Sequence, residues 1–216
     1  VKDSLYLSKF DGLAACGGFS YGDVLGAGGG WAKAVLFDDK LRRAFEDFFS
    51  KQLPVLGVCN GCQMLSQLRE IIPGAENWPS FERNNSGQFE SRTVMVKVSG
   101  NSSPWLEGLS GCVVPVAVAH GEGRVELGDL AGAVELDPLV AMRYVGPSDE
   151  ATEDYPYNPN GSLGGIAAIT AASGSILAMM PHPERTFRSS QLIVSDPGWK
   201  GYSPWMQFFR NARRLI

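Results

Sequence analysis

The sequence has no apolar run long enough to cross a bilayer, no block of lysine or arginine, and only two histidines in 216 residues. The first absence leaves out a helical membrane span. The second, together with a formal net charge of −4, argues against a surface built for nucleic acid or anionic lipid. Four cysteines are too few for a disulfide scaffold in a chain of this size, so they read as reduced and the compartment as cytoplasmic. Neither an internal repeat nor a low-complexity segment occurs. The opening "VKDSLYLSKF" has no initiator Met and no basic-then-apolar signal pattern, and reads as part of something longer.

What is present is enough for one sizeable core: 44% of the residues are hydrophobic. "FDGLAACGGFSYGD" is a short apolar run ending in a glycine turn, and "DDKLRRAFEDFFSKQ" carries Leu41, Phe45, Phe48 and Phe49 at helical spacing. "LPVLGVC" is an apolar run of strand length; "NGCQMLSQLRE" resumes the helical period until "IIPG" ends it. Strand, helix, strand, helix predicts an α/β fold with a mostly parallel sheet flanked by helices. After Pro73 come "TVMVKVSG", "VVPVAVAHGEGRVEL", "LVAMRYVG" and a hairpin pattern about Ser173-Gly174, which predict added antiparallel strands. "SPWMQFFRNARRLI" reads as a closing amphipathic helix capped by Ser203.

The chemistry concentrates on "GVCNGC". Gly57-Val58-Cys59-Asn60-Gly61 has the small-x-nucleophile-x-small form of a strand that turns sharply into a helix and holds its central side chain at the sheet's carboxyl edge. A helix N-terminus there favours thiolate over thiol at Cys59. Cys62, one turn on, reads as a small buried hydrophobe. A thioredoxin-like pair also follows a strand and opens a helix, but it does not need flanking glycines in this pattern. Zinc needs four grouped ligands, and there is no second C-x-x-C and no H-x-H, so no metal site is expected.

A thiolate nucleophile needs a base, and two histidines make the search short. His182 follows an apolar strand in "MMPHPERTF", stiffened by prolines on both sides, with Glu184 placed to orient the ring's far nitrogen. His120, in "VAVAHGEGRVEL", sits beside Gly121 and Gly123; ligand contact and a plain structural role are equally open for it. The crevice rule places Gly17-Gly18 at the same sheet edge as Cys59, which makes the amides of Gly18 and Asn60 candidates for an oxyanion hole.

"GVCNGCQ" with a distant "PHPE" resembles the triad of class I glutamine amidotransferases, a flavodoxin-like α/β family. "CGGFSYGDVLGAG", "RNNSGQFESR", "AHGEGRVE", "YPYNPNGS" and "MMPHPERTFR" extend the resemblance over nearly the whole chain, to the C-terminal glutaminase domains of the large, single-chain phosphoribosylformylglycinamidine synthases. The resemblance implies Cys59 as nucleophile, His182 as acid/base and Glu184 as its orienter. It also implies that Gln63 holds the side-chain amide of glutamine while His120, Gly121 and Glu122 meet its α-amino and carboxylate end. Ammonia would pass to a synthetase domain of the same polypeptide, which uses ATP and Mg²⁺ on formylglycinamide ribonucleotide; no cofactor is expected on residues 1–216. The family has a further strand–helix–strand unit ahead of "GGFSYGD", so residues 1–216 read as a glutaminase domain lacking that unit. The polar loop "EATEDYPYNPNGSLGG", with Asn158, Asn160 and Gly161 near the active-site edge, is a candidate for contact with the synthetase domain, and a solvated idle loop is the equal alternative. A standalone γ-glutamyl hydrolase or protease-like relative would share the elbow and triad without needing "RNNSGQFESR" or "YPYNPNGS". A catalytically idle regulatory domain is the third alternative, against which the intact Cys59, His182 and Glu184 count.

Overall fold

The structure, a computed structural model, describes residues 4–20, 23, 26–100, 103–128, 137–171, 173–193 and 196–216. The chain enters the sheet at β1 (Leu13–Ala15) and passes through α1 (Gly29–Leu36) and α2 (Asp39–Ser50) to β2 (Val55–Val58) and α3 (Asn60–Gln67). Asp38 starts α2 by accepting the amides of Lys40 and Leu41 at 2.9 and 3.1 Å, which satisfies two of the donors a helix leaves unpaired. Then follow β3 (Ser80–Arg83), β4 (Glu90–Val98), β5 (Val113–His120), β6 (Glu122–Glu126), β7 (Val140–Tyr144), β8 (Ile166–Thr170), β9 (Ile176–Met179) and α4 (Trp205–Arg214). Ser203 Oγ accepts the Trp205 amide at 3.2 Å, but the helix begins after Pro204, one residue later than a Ser203 cap implies.

Seven strands form one sheet in the order β1-β2-β9-β8-β7-β4-β5, and β3 pairs with β6 in a separate ribbon. The α/β class holds. Parallel pairing joins β1 to β2 and β2 to β9, and the remaining pairs in the large sheet are antiparallel. Because each antiparallel pairing reverses direction, β5 and β7 run the same way as β1, β2 and β9. The sheet curls until Ala117 of β5 bridges to His182, just past β9.

Both faces of the parallel part are covered. Gly57 faces α3, where a Cβ would fall 2.6 Å from Leu65 Cδ1; Leu56 and Val58 point the other way, toward Phe209 of α4. The core takes in Phe48, Phe49, Trp78, Tyr144, Trp205 and Phe208. The indole N–H groups of Trp78, Trp105 and Trp205 find carbonyl partners on Thr170, Ser175 and Pro115, so burying these rings strands no donor. No helix among the described residues is long and apolar enough to cross a membrane.

Candidate active site

The site starts from a strained residue. Cys59 joins β2 to α3 with φ 53° and ψ −111°, a backbone state that costs a non-glycine residue on the order of 1–3 kcal/mol. The flanking glycines allow the turn for two different reasons. A Cβ on Gly57 would sit 2.7 Å from Gly61 O, across the turn, whereas one on Gly61 would lie 2.0 Å from Ala15 O on the neighbouring strand. The Cys59 amide donates to Met179 O at 2.8 Å, and its thiol approaches Ala119 O at 3.8 Å. Cys62 is fully buried, and burial, reinforced by Cys59, pushes its thiol well above the ordinary range. All four cysteines are free.

β9 delivers His182 to the same edge. Its backbone amide donates to Ala117 O at 2.8 Å, and its Nδ1 lies 2.6 Å from Glu184 Oε1. Nε2 is buried without a hydrogen-bond partner among the described residues. A Cβ on Gly17 would fall 2.8 Å from His182 Cε1 and 3.1 Å from Cys59 Cβ, so imidazole and thiol flank one point at the end of β1. Burial opposes charge on His182, but the Cys59 sulfur and the Glu184 carboxylate outweigh it and raise the imidazole to about 9. Burial likewise pushes Glu184 up, and its bond to His182 more than reverses this, holding the carboxyl below its ordinary range.

A cleft of about 360 Å³ opens over these groups, and Gly18, Asn60, Gln63, His120, Gly121 and Glu122 all line it. The Asn60 side chain reaches back to the first turn, donating from Nδ2 to Gly18 O at 2.7 Å and to Ser20 Oγ at 2.9 Å. Gln63 Nε2 donates to Glu122 O at 2.7 Å, and Glu122 Oε2 accepts the Ala27 amide at 3.0 Å. Burial first, and then the charge of His182, push His120 down to about 3, so its ring is neutral.

A strained cysteine at a strand–helix turn beside an imidazole–carboxylate pair at one sheet edge suits acyl transfer. The sequence matches the CobB/CobQ-like glutamine amidotransferase domain over residues 1–216. The chain belongs to that family. Among solved structures, this amidotransferase domain is similar to a chain of PurLQS from Thermotoga maritima, at 25% identity and TM-score 0.67, over 96% of this chain and 81% of that one. It also shares its fold with the glutaminase domain of Trypanosoma brucei CTPS with bound acivicin, at 17% identity and TM-score 0.51, over 98% of this chain and 74% of that one.

The polar loop lies beside the cleft, with Asn160 Nδ2 3.1 Å from His120 Nε2. Asn158 and Asn160 of the amidotransferase domain are buried and turned inward, where Asn158 Nδ2 donates to Thr152 O and Ser162 O, so neither side chain is available to a partner. The large hydrophobic side chains that the loop exposes are Tyr155, Tyr157 and Leu163, beside the exposed Glu153 and Asp154. Sequence reasoning also missed Asn84, whose Nδ2 holds His120 O at 2.8 Å, and the tie from Ala27 to Glu122. The signal for Asn84 was its place in "RNNSGQFESR"; nothing local marks Ala27.

Proposed function

We propose that Cys59 is the nucleophile of a glutaminase that supplies ammonia for amidation of formylglycinamide ribonucleotide in purine synthesis. The observation that carries the reading is the meeting of the strained Cys59 with the His182–Glu184 pair. The Cys59 sulfur attacks the side-chain amide carbon of glutamine, and the amides of Gly18 and Asn60 receive the oxyanion. His182, protonated on Nε2, gives that proton to the departing amine, so ammonia leaves and a γ-glutamyl thioester remains. The neutral ring then takes a proton from water as the oxygen attacks the thioester, releasing glutamate and restoring the Cys59–His182 pair. Glu184 holds Nδ1 and stabilises the imidazolium without taking its proton. Gln63 spends its amide nitrogen on Glu122 O, which leaves its oxygen to receive the N–H of the substrate amide.

ATP and Mg²⁺ act on the synthetase domain in this reading, which we place on the same polypeptide. The resemblance across six motifs supports the single polypeptide, and the similarity to a chain of PurLQS supports a synthetase partner. Among the described residues no group of three His, Cys, Asp or Glu could hold a metal ion, and no step above uses one. The test is glutamate release measured with and without the synthetase portion, its ribonucleotide and ATP. Glutamine-dependent amidation in the reconstituted enzyme is expected; a reconstituted enzyme that uses free ammonia but never glutamine would refute the reading.

A further inference from the structure

His120 ends β5 inside the cleft and is 3% exposed. One edge of its ring is closed: a Cβ on Gly123 would fall 2.5 Å from His120 Cδ2 and 2.6 Å from Nε2, and Asn160 Nδ2 lies 3.1 Å from Nε2. The other partners of Asn160 fix which way its amide points. Oδ1 receives the Ser162 amide at 3.0 Å, and a backbone N–H can only donate. Nδ2 donates to Gly123 O at 2.8 Å, and a carbonyl can only accept. Flipping the amide would set donor against donor and acceptor against acceptor. The atom facing His120 Nε2 therefore brings an N–H, so Nε2 accepts and the single ring proton sits on Nδ1.

That proton has no acceptor among the described residues. His120 Nδ1 is buried without a hydrogen-bond partner among the described residues, in a residue that lines the cleft together with Cys59 and Gln63. Leaving such a donor unpaired is destabilising, and such groups in native structures call for a functional explanation. A neutral donor cannot serve an α-ammonium group; it fits an acceptor oxygen.

We propose that Asn160 is a positioning residue that holds His120 as the neutral Nδ1–H tautomer, and that this N–H donates to the α-carboxylate of bound glutamine. The carboxylate contact rests on the glutaminase reading; the tautomer does not. The protein has two histidines, so ¹⁵N-histidine NMR of the 216-residue chain resolves them, with His182→Gln removing the other signal. The expected result is an Nδ1–H pattern for His120 that is unchanged from about pH 5 to 8. In Asn160→Asp a carboxylate faces Nε2 and draws the proton there; in Asn160→Ala the ring should populate both tautomers. Adding glutamine to Cys59→Ala, which cannot turn it over, should shift the Nδ1 resonance. With the synthetase portion present, Asn160→Asp should raise the KM for glutamine about tenfold or more with a smaller fall in kcat.

An Nε2–H tautomer in the wild type, or a tautomer unaltered in both Asn160 variants, would overturn the positioning role. If Asn160→Asp does not fold, the tautomer ratio in Asn160→Ala decides. An Nδ1 resonance unmoved by saturating glutamine would overturn the carboxylate contact. Failure of the wild type to use glutamine at all would overturn the glutaminase reading and that contact together, while the tautomer measurement would still stand or fall alone.

Discussion

Gly17→Ala adds one methyl group at the point where the Cys59 and His182 side chains meet. Gly17 is absent from the positive-φ glycines, so alanine adopts its backbone without strain and the effect is steric. The new Cβ would lie 2.8 Å from His182 Cε1 and 3.1 Å from Cys59 Cβ. Cys59 cannot give way, because its Cβ rides on a strained backbone whose amide is tied to Met179 O. The imidazole must move instead. To reach an ordinary contact of 3.4 Å it retreats by roughly 0.6 Å, which rotates Nε2 away from the sulfur or stretches the 2.6 Å bond to Glu184. A misplacement of about 1 Å costs on the order of 10²-fold, so kcat should fall about 10- to 100-fold, or about 1.4–2.8 kcal/mol in barrier. Gly17 does not line the cleft, and KM should stay within about twofold. Overpacking costs about 1–3 kcal/mol, equivalent to a fall in Tm of roughly 2–12 °C for a domain of this size. Steady-state glutamate release and a thermal melt, both on the reconstituted enzyme, make the check. A folded variant with wild-type kcat, or one that loses KM and keeps kcat, would refute the geometry argued for the pair.

Four further substitutions separate the remaining roles. Cys59→Ser should abolish glutamate release and labelling by a glutamine-like electrophile, whereas Cys62→Ala should keep both; equal loss in the two would revive a paired-thiol mechanism. His182 is raised from 6.5 to about 9, so the stability it contributes is present in full below pH 6.5 and lost as pH rises through 9. Glu184→Gln removes one source of that rise and should move both the alkaline limb of kcat and this stability window to lower pH, as read from pH–rate and pH–Tm curves; unmoved limbs would deny Glu184 its orienting role. Asn60→Ala keeps the residue 60 amide but frees Gly18 O and Ser20 Oγ, and should lower kcat by between about 10-fold and the 10²–10³-fold of a lost oxyanion donor. An unchanged kcat would show that the first turn holds its shape without that side chain.

The parts of the fold that were legible in the sequence are those whose signal is local. The elbow carries its own evidence, since an apolar run, two glycines and a helical period all meet at Cys59, and the β8–β9 hairpin announces itself through Ser173-Gly174. α1 was not legible because it opens on Gly29-Gly30 after the left-handed Gly28, a pattern that reads as a loop. β3 was missed because "SFER" has a single buried residue, Phe81, and exists only by pairing with β6. The burial of Asn158 and Asn160 was illegible for a related reason. Two asparagines in a Pro-rich and Gly-rich loop look solvated until tertiary folding brings Thr152, Ser162, Gly123 and His120 around them.

These two kinds of signal divide the cleft itself. The reacting groups hang on the backbone ladder: Cys59 is fixed through Met179 O and His182 through Ala117 O, at the ends of strands whose parallel register sets their spacing. No single side chain can be removed to unseat these two backbones; steric intrusion, as at Gly17 or Gly61, displaces them, whereas Glu184 sets the orientation of the imidazole alone. The other end is assembled one hydrogen bond at a time across long stretches of chain, from Gln63 to Glu122, from Ala27 to Glu122 and from Asn160 to His120. Each of those bonds is worth about 0.5–1.5 kcal/mol and can be lost alone. Substitutions on the ladder side should therefore appear in kcat and in stability together, while those on the hydrogen-bonded side should appear first in KM. The division also explains why one short motif was enough to single out Cys59, whereas the ties made by Asn84, Ala27 and Asn160 emerged only once the chain had folded them against His120 and Glu122.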